Sequence, residues 1–265
     1  MTLYNLPPKR RRSKWRKIRT AIITLIIITI YGWIFFGIDI AWGRVFDRIL
    51  KNSGIIIPQL FNPDWSVLNK VLLKIQETIL IAFSGTLMAS VLAVPLGLLA
   101  ARNVSNRYIA LTFKWILSAN RSFPEIILAI IFVAAVGPNA FAGVLAIAIH
   151  STGMLGKLYS EVVESIEMDT VDAIKANGAN RIQVLFHGVL PQVMPEFLSY
   201  AIYRFEIDIR SSSVLGVVGA GGIGTMIIFA SNNRNWSEMG LVLLSIIIVV
   251  IIIDYISSRI RKKIV

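Results

Sequence analysis

The chain has 265 residues, of which 55% are hydrophobic and 16% are charged, and its formal net charge is +12. Soluble domains are usually about 45–50% apolar, so this composition, with a mean hydropathy of +0.70, excludes that class and indicates an all-α integral membrane protein. The absence of cysteine excludes disulfides, a thiolate nucleophile and a cysteine metal site.

The positive charge is concentrated at the two ends of the chain. One cluster lies between Lys9 and Arg19, and the other contains Arg259, Arg261, Lys262 and Lys263. Both flank apolar runs, as the positive-inside rule and attraction to anionic lipid require. We therefore assign the basic charge to membrane topology and predict no nucleic-acid partner. The two histidines are far apart in sequence, so no metal site is predicted either.

The N-terminal region divides into three parts. Residues 1–19 are a basic tail, and residues 20–38 are uncharged. That run is longer than the 7–15 apolar residues of a secretory signal, so we expect an uncleaved transmembrane helix. Residues 39–74 are mixed and amphipathic, with a turn predicted over 58–65, and we expect a segment on the external surface that lies in the membrane interface.

Five further spans are predicted within a membrane domain of residues 75–260. They cover 78–101, 124–136, 141–159, 192–213 and 239–257. A separate helix is expected to end near residue 120, and Pro124 separates it from the span 124–136. Six spans in total place both termini in the cytoplasm. The polar loop, which we define as residues 161–191, follows the fourth span and lies on the same side.

The second half of this polar loop has a distinctive local pattern. We expect a helix over 172–177 that ends at Asn177-Gly178, where glycine tolerates a left-handed conformation. Asn180 is a good N-cap for a second short helix, and Pro191 suits the first turn of the next. The pattern predicts a helix-turn-helix projection exposed to water.

This segment resembles the EAA loop of ABC-importer permeases. The family pattern is Glu-Ala-Ala, three residues, Gly, nine residues, Ile, one residue and Leu-Pro. Its acid and first alanine correspond to Asp172 and Ala173, and its later positions correspond to Gly178, Leu190 and Pro191. Two positions depart from it, because Ile174 replaces the second alanine and Gly188 replaces the isoleucine. The resemblance implies a type I permease fold whose cytoplasmic loop couples to a separate ATPase.

Three more stretches, 119–137, 141–164 and 203–224, are similar to the phosphonate-transporter permeases. The resemblance extends from about residue 70 to the C-terminus, and helix 20–38 is similar to the accessory N-terminal helix of that branch. It implies import of phosphonate, phosphite or a related anion across a bacterial cytoplasmic membrane. It also implies a homodimer, two ATPase subunits that bind ATP and Mg, and an external solute-binding protein. No cofactor is expected in this chain.

A glycine-rich stretch follows the fifth span. Gly219, Gly221 and Gly224 match the G-x-G-x-x-G dinucleotide fingerprint, but that motif requires a strand-helix-strand context that membrane spans do not provide. We therefore expect these glycines, with Gly222, to allow close packing or to form a gate beside the pore.

The fifth span also carries four charged residues, which are costly in a membrane and usually functional. Arg204 and Asp208, and likewise Glu206 and Arg210, are spaced to pair along one helix, on nearly opposite faces. One hypothesis is that an arginine of this set, with Arg121, attracts the anion along the translocation path. The alternative is that both are structural ion pairs.

Two other classes of function are alternatives to an ABC-importer permease. A secondary transporter or channel would use broken helices and intramembrane charge, but it leaves the polar loop unexplained. A membrane enzyme would need a catalytic constellation, and the sequence offers no catalytic residues. The chain has no G-x-x-x-x-G-K-[ST] phosphate loop, so ATP hydrolysis is expected on a partner.

Overall fold

The structure is a computed structural model, and it describes residues 14–37 and 42–264. That part of the chain contains helices and turns and no strand, which confirms the all-α fold. The tail residues 1–13 and residues 38–41 lie outside the described residues. The helices are α1 (Lys14–Gly37), α2 (Trp42–Leu60), α3 (Leu68–Ala100), α4 (Arg107–Ser122), α5 (Glu125–Val136), α6 (Ala140–Glu164), α7 (Met168–Ala176), α8 (Arg181–Val184), α9 (Leu190–Leu215), α10 (Gly224–Asn232) and α11 (Trp236–Ile264).

The chain divides into two compact units, residues 1–56 and 57–265. In the first unit, α1 contains an apolar stretch, Trp15–Phe35, that is long enough to cross a membrane, as predicted. Helix α2 is amphipathic and continues through Pro58 to Leu60, so the turn predicted to begin at residue 58 starts later. A proline near the end of a helix costs little because few backbone hydrogen bonds remain to be lost there.

Within the described residues, four helices are long and apolar enough to span a membrane, namely α1, α3 with its preceding turn, α6 and α11. Helices α4 and α5 together form a fifth candidate, bent by 82° at the predicted break before Glu125. Helix α9 has 26 residues, but its charged residues make it too polar to be counted among these spans. The count of six spans therefore stays a prediction.

Helix α3 begins at Leu68, ten residues before the predicted start of the second span. A short 3-10 turn, Trp65–Val67, leads into it, and the Asp64 side chain caps that turn by accepting a hydrogen bond from the Ser66 backbone N–H. Hydrogen bonding to Ser66 holds the pKa of Asp64 below its usual value. The Asp64 backbone N–H also donates to the Ser237 carbonyl, which ties the start of α3 to the start of α11.

Helix α6 lies at the centre of the second unit, against α3, α4, α5 and α9. Small residues allow the close approach, as is common in membrane bundles. A Cβ at Gly97 of α3 would lie 2.7 Å from Cβ of Tyr159, and one at Gly156 would lie 2.7 Å from Leu117 of α4. Ala129 of α5 packs against the other half of α6. The bent pair α4–α5 therefore follows α6 along its length.

Candidate functional site

The polar loop has the predicted helix-turn-helix form. Helix α7 begins at Met168, earlier than residue 172, and ends at Ala176. Gly178 has φ of +81°, a left-handed conformation that favours glycine. The Asn180 side chain accepts from the Gln183 backbone N–H, and the Gln183 side chain accepts from the Asn180 N–H, so a full capping box starts α8. These contacts confirm the predicted turn and N-cap.

The residues that match the EAA pattern lie on the outer part of this loop. Asp172, with 65% of its side chain exposed, forms an ion pair of 2.9 Å with Lys175. Ala173 and Gly178 are exposed, and no atom lies within 4 Å of a Cβ placed on Gly178. Leu190 is half-buried and Pro191, in the first turn of α9, is exposed. The loop thus presents a small-residue surface that another protein could contact.

The two departures from the family pattern lie against each other. Gly188 is buried in a π-helical turn, Leu185–Val189, between α8 and α9. A Cβ placed on Gly188 would lie 3.2 Å from Cδ1 of Ile174 and 3.6 Å from Cγ2 of Val171. The Ile174 side chain therefore fills the space beside Gly188, and the two positions that depart from the family pattern are in contact.

An apolar cluster joins the loop to the membrane helices. Val171 and Val189 pack in the same cluster as Tyr159 of α6 and Phe197 of α9. The two aromatic rings stack with centroids 3.9 Å apart, and the Tyr159 hydroxyl donates to the Phe197 carbonyl at 3.1 Å. The base of the loop therefore packs directly against α6 and α9.

Arg204 and Asp208 form the predicted pair in the interior of the second unit. Their side chains are 5% and 0% exposed, and an Arg204 terminal nitrogen lies 2.8 Å from Asp208 Oδ1. Thr86 of α3 donates to Asp208 at 2.7 Å, and Ser151 of α6 donates to it at 2.9 Å. Arg204 Nε in turn donates to Ser151 Oγ at 2.9 Å. This polar layer links α3, α6 and α9.

Glu125, the first residue of α5, joins the same layer. Its Oε2 lies 3.8 Å from the Arg204 terminal nitrogen, while its Oε1 is buried without a hydrogen-bond partner in the described part of the chain. Arg204 is therefore shared between two carboxylates, so the layer offers no excess positive charge to an anion. The predicted pairing was visible in the spacing, but the contributions of Glu125, Thr86 and Ser151 were missed. Their only sequence signal was polarity within apolar spans.

Glu206 and Arg210 also pair, on another face of α9. Arg210 lies 2.7 Å from Glu206 Oε1, and Arg261 of α11 lies 3.4 Å from Oε2. The Arg210 side chain is 53% exposed, whereas that of Glu206 is 7% exposed. Arg261 also lies over the ring of Tyr203, 5.3 Å from its centroid. Of the two arginines in α9, only Arg210 is accessible at the surface of this chain.

Arg121 stands apart from both pairs. It is exposed in the last turn of α4, and it has no ion pair within the described ranges. Its neighbour Asn120 donates to the Ile149 carbonyl at 2.6 Å, which fixes the end of α4 against α6. Arg121 is therefore an unneutralised cation close to the break between α4 and α5.

The glycine-rich stretch forms a compact turn between α9 and α10. Gly219, Gly221 and Gly222 have φ of +88°, +80° and +74°. The Gly222 N–H donates to Glu77 Oε1 at 3.1 Å, and the Ile223 N–H donates to Thr78 Oγ1 at 2.7 Å. Sequence reasoning did not connect Glu77 with this stretch, because the two are 145 residues apart.

Gly224 lies where the turn joins α10. A Cβ there would overlap the Ser213 carbonyl oxygen, so no other residue fits without rearrangement. The stretch is therefore closely packed irregular backbone held by α3, as membrane proteins require of non-helical segments.

Solved structures of other proteins share this fold. The structure of the MetNI methionine ABC transporter in inward-facing conformations matches with a TM-score of 0.68 and 22% identity, over 76% of this chain and 99% of that chain. An amino acid ABC transporter matches with a TM-score of 0.60 and 16% identity, over 76% and 98%. The fold is that of type I ABC-importer permeases.

Sequence comparison then gives the family. Residues 93–264 match the family described as "Binding-protein-dependent transport system inner membrane component", and the chain belongs to it. It is 35% identical to the phosphite transport system permease protein PtxC of Stutzerimonas stutzeri over 249 residues, 94% of this chain and 90% of that protein. It is also 38% identical to the phosphate-import permease protein PhnE of Mycolicibacterium smegmatis over 192 residues, 71% of this chain and 36% of that protein. The predicted class, a transport permease subunit and not an enzyme, is confirmed.

Proposed function

We propose that this permease moves phosphite, phosphonate or a related phosphorus oxyanion across a bacterial cytoplasmic membrane. The observation that carries the proposal is the similarity to a phosphite permease along 94% of the chain. The similarity to a phosphate-import permease supports the same chemical class. All these substrates are tetrahedral anions with several strong acceptor oxygens.

The polar loop couples this movement to ATP hydrolysis on a separate subunit. Asp172, Ala173 and Gly178 form its docking surface, and Leu190 and Pro191 connect it to α9. The support is geometric: the residues that match the family pattern are exposed around a rigid glycine turn, and the buried base of the loop packs on α6 and α9. ATP and Mg are bound by the ATPase, and this chain needs no cofactor.

The complex contains two copies of this chain, two ATPases and an external solute-binding protein. Both termini and the polar loop face the cytoplasm. Residues 1–19 are a cytoplasmic tail, 20–38 an accessory transmembrane helix, 39–74 an external amphipathic segment and 75–260 the permease domain. The basic clusters at the two ends support this orientation, and the family's dependence on a binding protein supports the external partner.

Charged residues and glycines of the second unit form the translocation path and its gate. Arg121 and Arg210 are the exposed cations of this set, and they supply its positive potential. The buried residues Arg204, Asp208 and Glu206 hold the surrounding helices in place. The glycines 219, 221, 222 and 224 form the gate, because their irregular backbone interrupts the helices and is closely packed against α3.

The test is reconstitution of the permease with its ATPase and binding protein in proteoliposomes. We expect ATP-dependent uptake of phosphite or methylphosphonate that requires the binding protein and persists when ion gradients are collapsed. Uptake that depends on an ion gradient and proceeds without ATPase would instead identify a secondary transporter. Phosphite, methylphosphonate and phosphate compared as competitors would rank the substrates.

A further inference from the structure

One face of α6 carries polar residues that the described helices cover only in part. His150, Lys157 and Glu161, with Met154 between them, follow one another at spacings of four, three and four residues, and therefore lie on one side of the helix. We call these four residues the α6 stripe. His150, Met154 and Lys157 are half-buried, and Glu161 is exposed.

Between residues 150 and 161, the sides of α6 next to the stripe are covered by α4 and α9. Helix α4 covers one side, where Asn120 and Leu117 fill the notches at Gly153 and Gly156. On the other side, Ser151 bonds to Arg204 and Asp208 of α9, and Tyr159 stacks on Phe197. The stripe therefore lies between α4 and α9, and α9 reaches it at Met154, whose Sδ accepts a hydrogen bond from Arg204 Nη1 at 3.0 Å.

Lys157 is the unexplained charge in this stripe. It has no ion-pair or hydrogen-bond partner within the described part of the chain, although Glu161 is only one turn away. It is seven residues from the end of α6 at Glu164, or about 10 Å at 1.5 Å per residue. A lysine ammonium facing hydrocarbon is costly, so this face requires water, an anion or a polar partner.

His150 lies deeper, ten residues from the start of α6. Its imidazole is beside the backbone of Phe123 and within electrostatic range of Arg121, Glu125 and Arg204. Its Nδ1 and the Oε1 of Glu125 are both buried without a hydrogen-bond partner in the described residues. Unsatisfied buried polar atoms are rare and call for a missing partner such as water or a ligand.

We propose that the α6 stripe lines the anion path, and that Lys157 contacts the phosphorus oxyanion as it passes. Arg121 supplies positive charge deeper along the same path, and the imidazole of His150 offers a neutral hydrogen-bonding group there. Glu161 and Glu125 limit the path at either end, because their carboxylates repel an anion. A path with few cations lets the anion enter without being trapped. This inference rests on the proposed function.

The first experiment measures uptake of radiolabelled phosphite and ATP hydrolysis together in proteoliposomes that contain the whole complex. For Lys157→Met we expect uptake per ATP hydrolysed to fall about ten-fold, the scale of one lost charge-assisted hydrogen bond. Lys157→Arg keeps the charge and should retain most uptake. The matched control is Lys114→Met, since Lys114 lies near the same end of α6 but is paired with Glu164 at 2.7 Å.

The second experiment uses the absence of cysteine from the chain. The cysteine of His150→Cys should react with a charged, water-soluble thiol reagent if the stripe lines water. In Ile248→Cys, on the exposed apolar face of α11, the cysteine should not react, because lipid covers it.

The outcomes separate the inference from the proposed function. Normal uptake by Lys157→Met, a parallel fall of uptake and ATPase activity, or an unreactive cysteine at residue 150 would each overturn the inference. If Lys157→Met fails to assemble, the labelling result decides. The proposed function would instead be refuted if the wild-type permease binds no ATPase, or if the binding protein does not change the rate of ATP hydrolysis.

Discussion

The guanidinium of Arg204 lies 2.8 Å from Asp208 Oδ1 in the interior of the helical bundle, and both side chains are almost fully buried. Thr86 and Ser151 donate further hydrogen bonds to the carboxylate. Loss of one partner of a buried ion pair is costly because it leaves the other charge desolvated and unpaired. The layer links α3, α6 and α9, and we predict that its main role is structural.

Removal of Arg204 should destabilise the permease. In Arg204→Gln the Asp208 carboxylate stays buried without its cation, and loss of one partner of a buried pair costs about 3–5 kcal/mol. Thermal unfolding of the detergent-solubilised protein measures the effect. Arg210→Gln is the control, because its side chain is 53% exposed and its loss should leave the unfolding temperature nearly unchanged.

A double variant refines this prediction. Arg204→Gln with Asp208→Asn removes both charges, and it should recover part of the stability that Arg204→Gln loses. If Arg204→Gln alone unfolds at the wild-type temperature, the buried pair is not structural, and the assignment of Arg204 to the scaffold is wrong.

Gly178→Asp should uncouple ATP hydrolysis from transport without unfolding the permease. The left-handed φ of +81° is tolerated by aspartate and asparagine at modest cost, and no atom lies within 4 Å of the added Cβ. The isolated subunit should therefore fold, and the defect should appear only when the negative charge meets the ATPase. Uptake per ATP hydrolysed measures it.

Gly178→Asn is the matched control for Gly178→Asp, with the same size and no charge. It should couple better than the aspartate variant. Normal coupling in Gly178→Asp would remove Gly178 from the docking surface, and loss of folded protein would indicate a structural role instead.

Local pattern predicted much of the fold and of the polar loop. The turn at Gly178 and the cap at Asn180 depend on neighbours within a few residues, and so does the i,i+4 pairing of Arg204 with Asp208. The contacts that decide function join distant parts of the chain. Examples are Glu77 with Gly222 and Glu125 with Arg204, which depend on how the helices pack. The α6 stripe was not predicted from the sequence, because only the packing of α4 and α9 shows which side of α6 they leave partly uncovered.

Gly224→Ala should prevent correct packing of the glycine-rich turn. The new Cβ would overlap the Ser213 carbonyl and lie 2.9 Å from Cα of Gly216, and overpacking of this kind costs about 1–3 kcal/mol or more. We expect a lower yield of folded protein and a lower unfolding temperature, measured by fluorescence-detected gel filtration during heating.

The control for Gly224→Ala is Gly54→Ala in helix α2, where no atom lies within 4 Å of a Cβ. Alanine is favoured over glycine inside a helix, so this variant should be neutral or slightly stabilising. Equal behaviour of the two variants would contradict the close packing at Gly224.

The contact between Ile174 and Gly188 makes a prediction that needs both residues. Ile174→Ala removes a side chain that covers Gly188. Gly188→Ile inserts a side chain whose Cβ would lie 3.2 Å from Cδ1 of Ile174. Each single change should destabilise the loop, by loss of packing in one case and by overpacking in the other. The double variant restores the residue types of the family pattern and should recover stability and coupling.

Because the two residues touch, their effects on the free energy of unfolding should deviate from additivity by about 0.5–3 kcal/mol. A double-mutant cycle of unfolding free energies measures this deviation, and uptake per ATP hydrolysed measures coupling. Strictly additive losses would mean that the two departures from the pattern are independent.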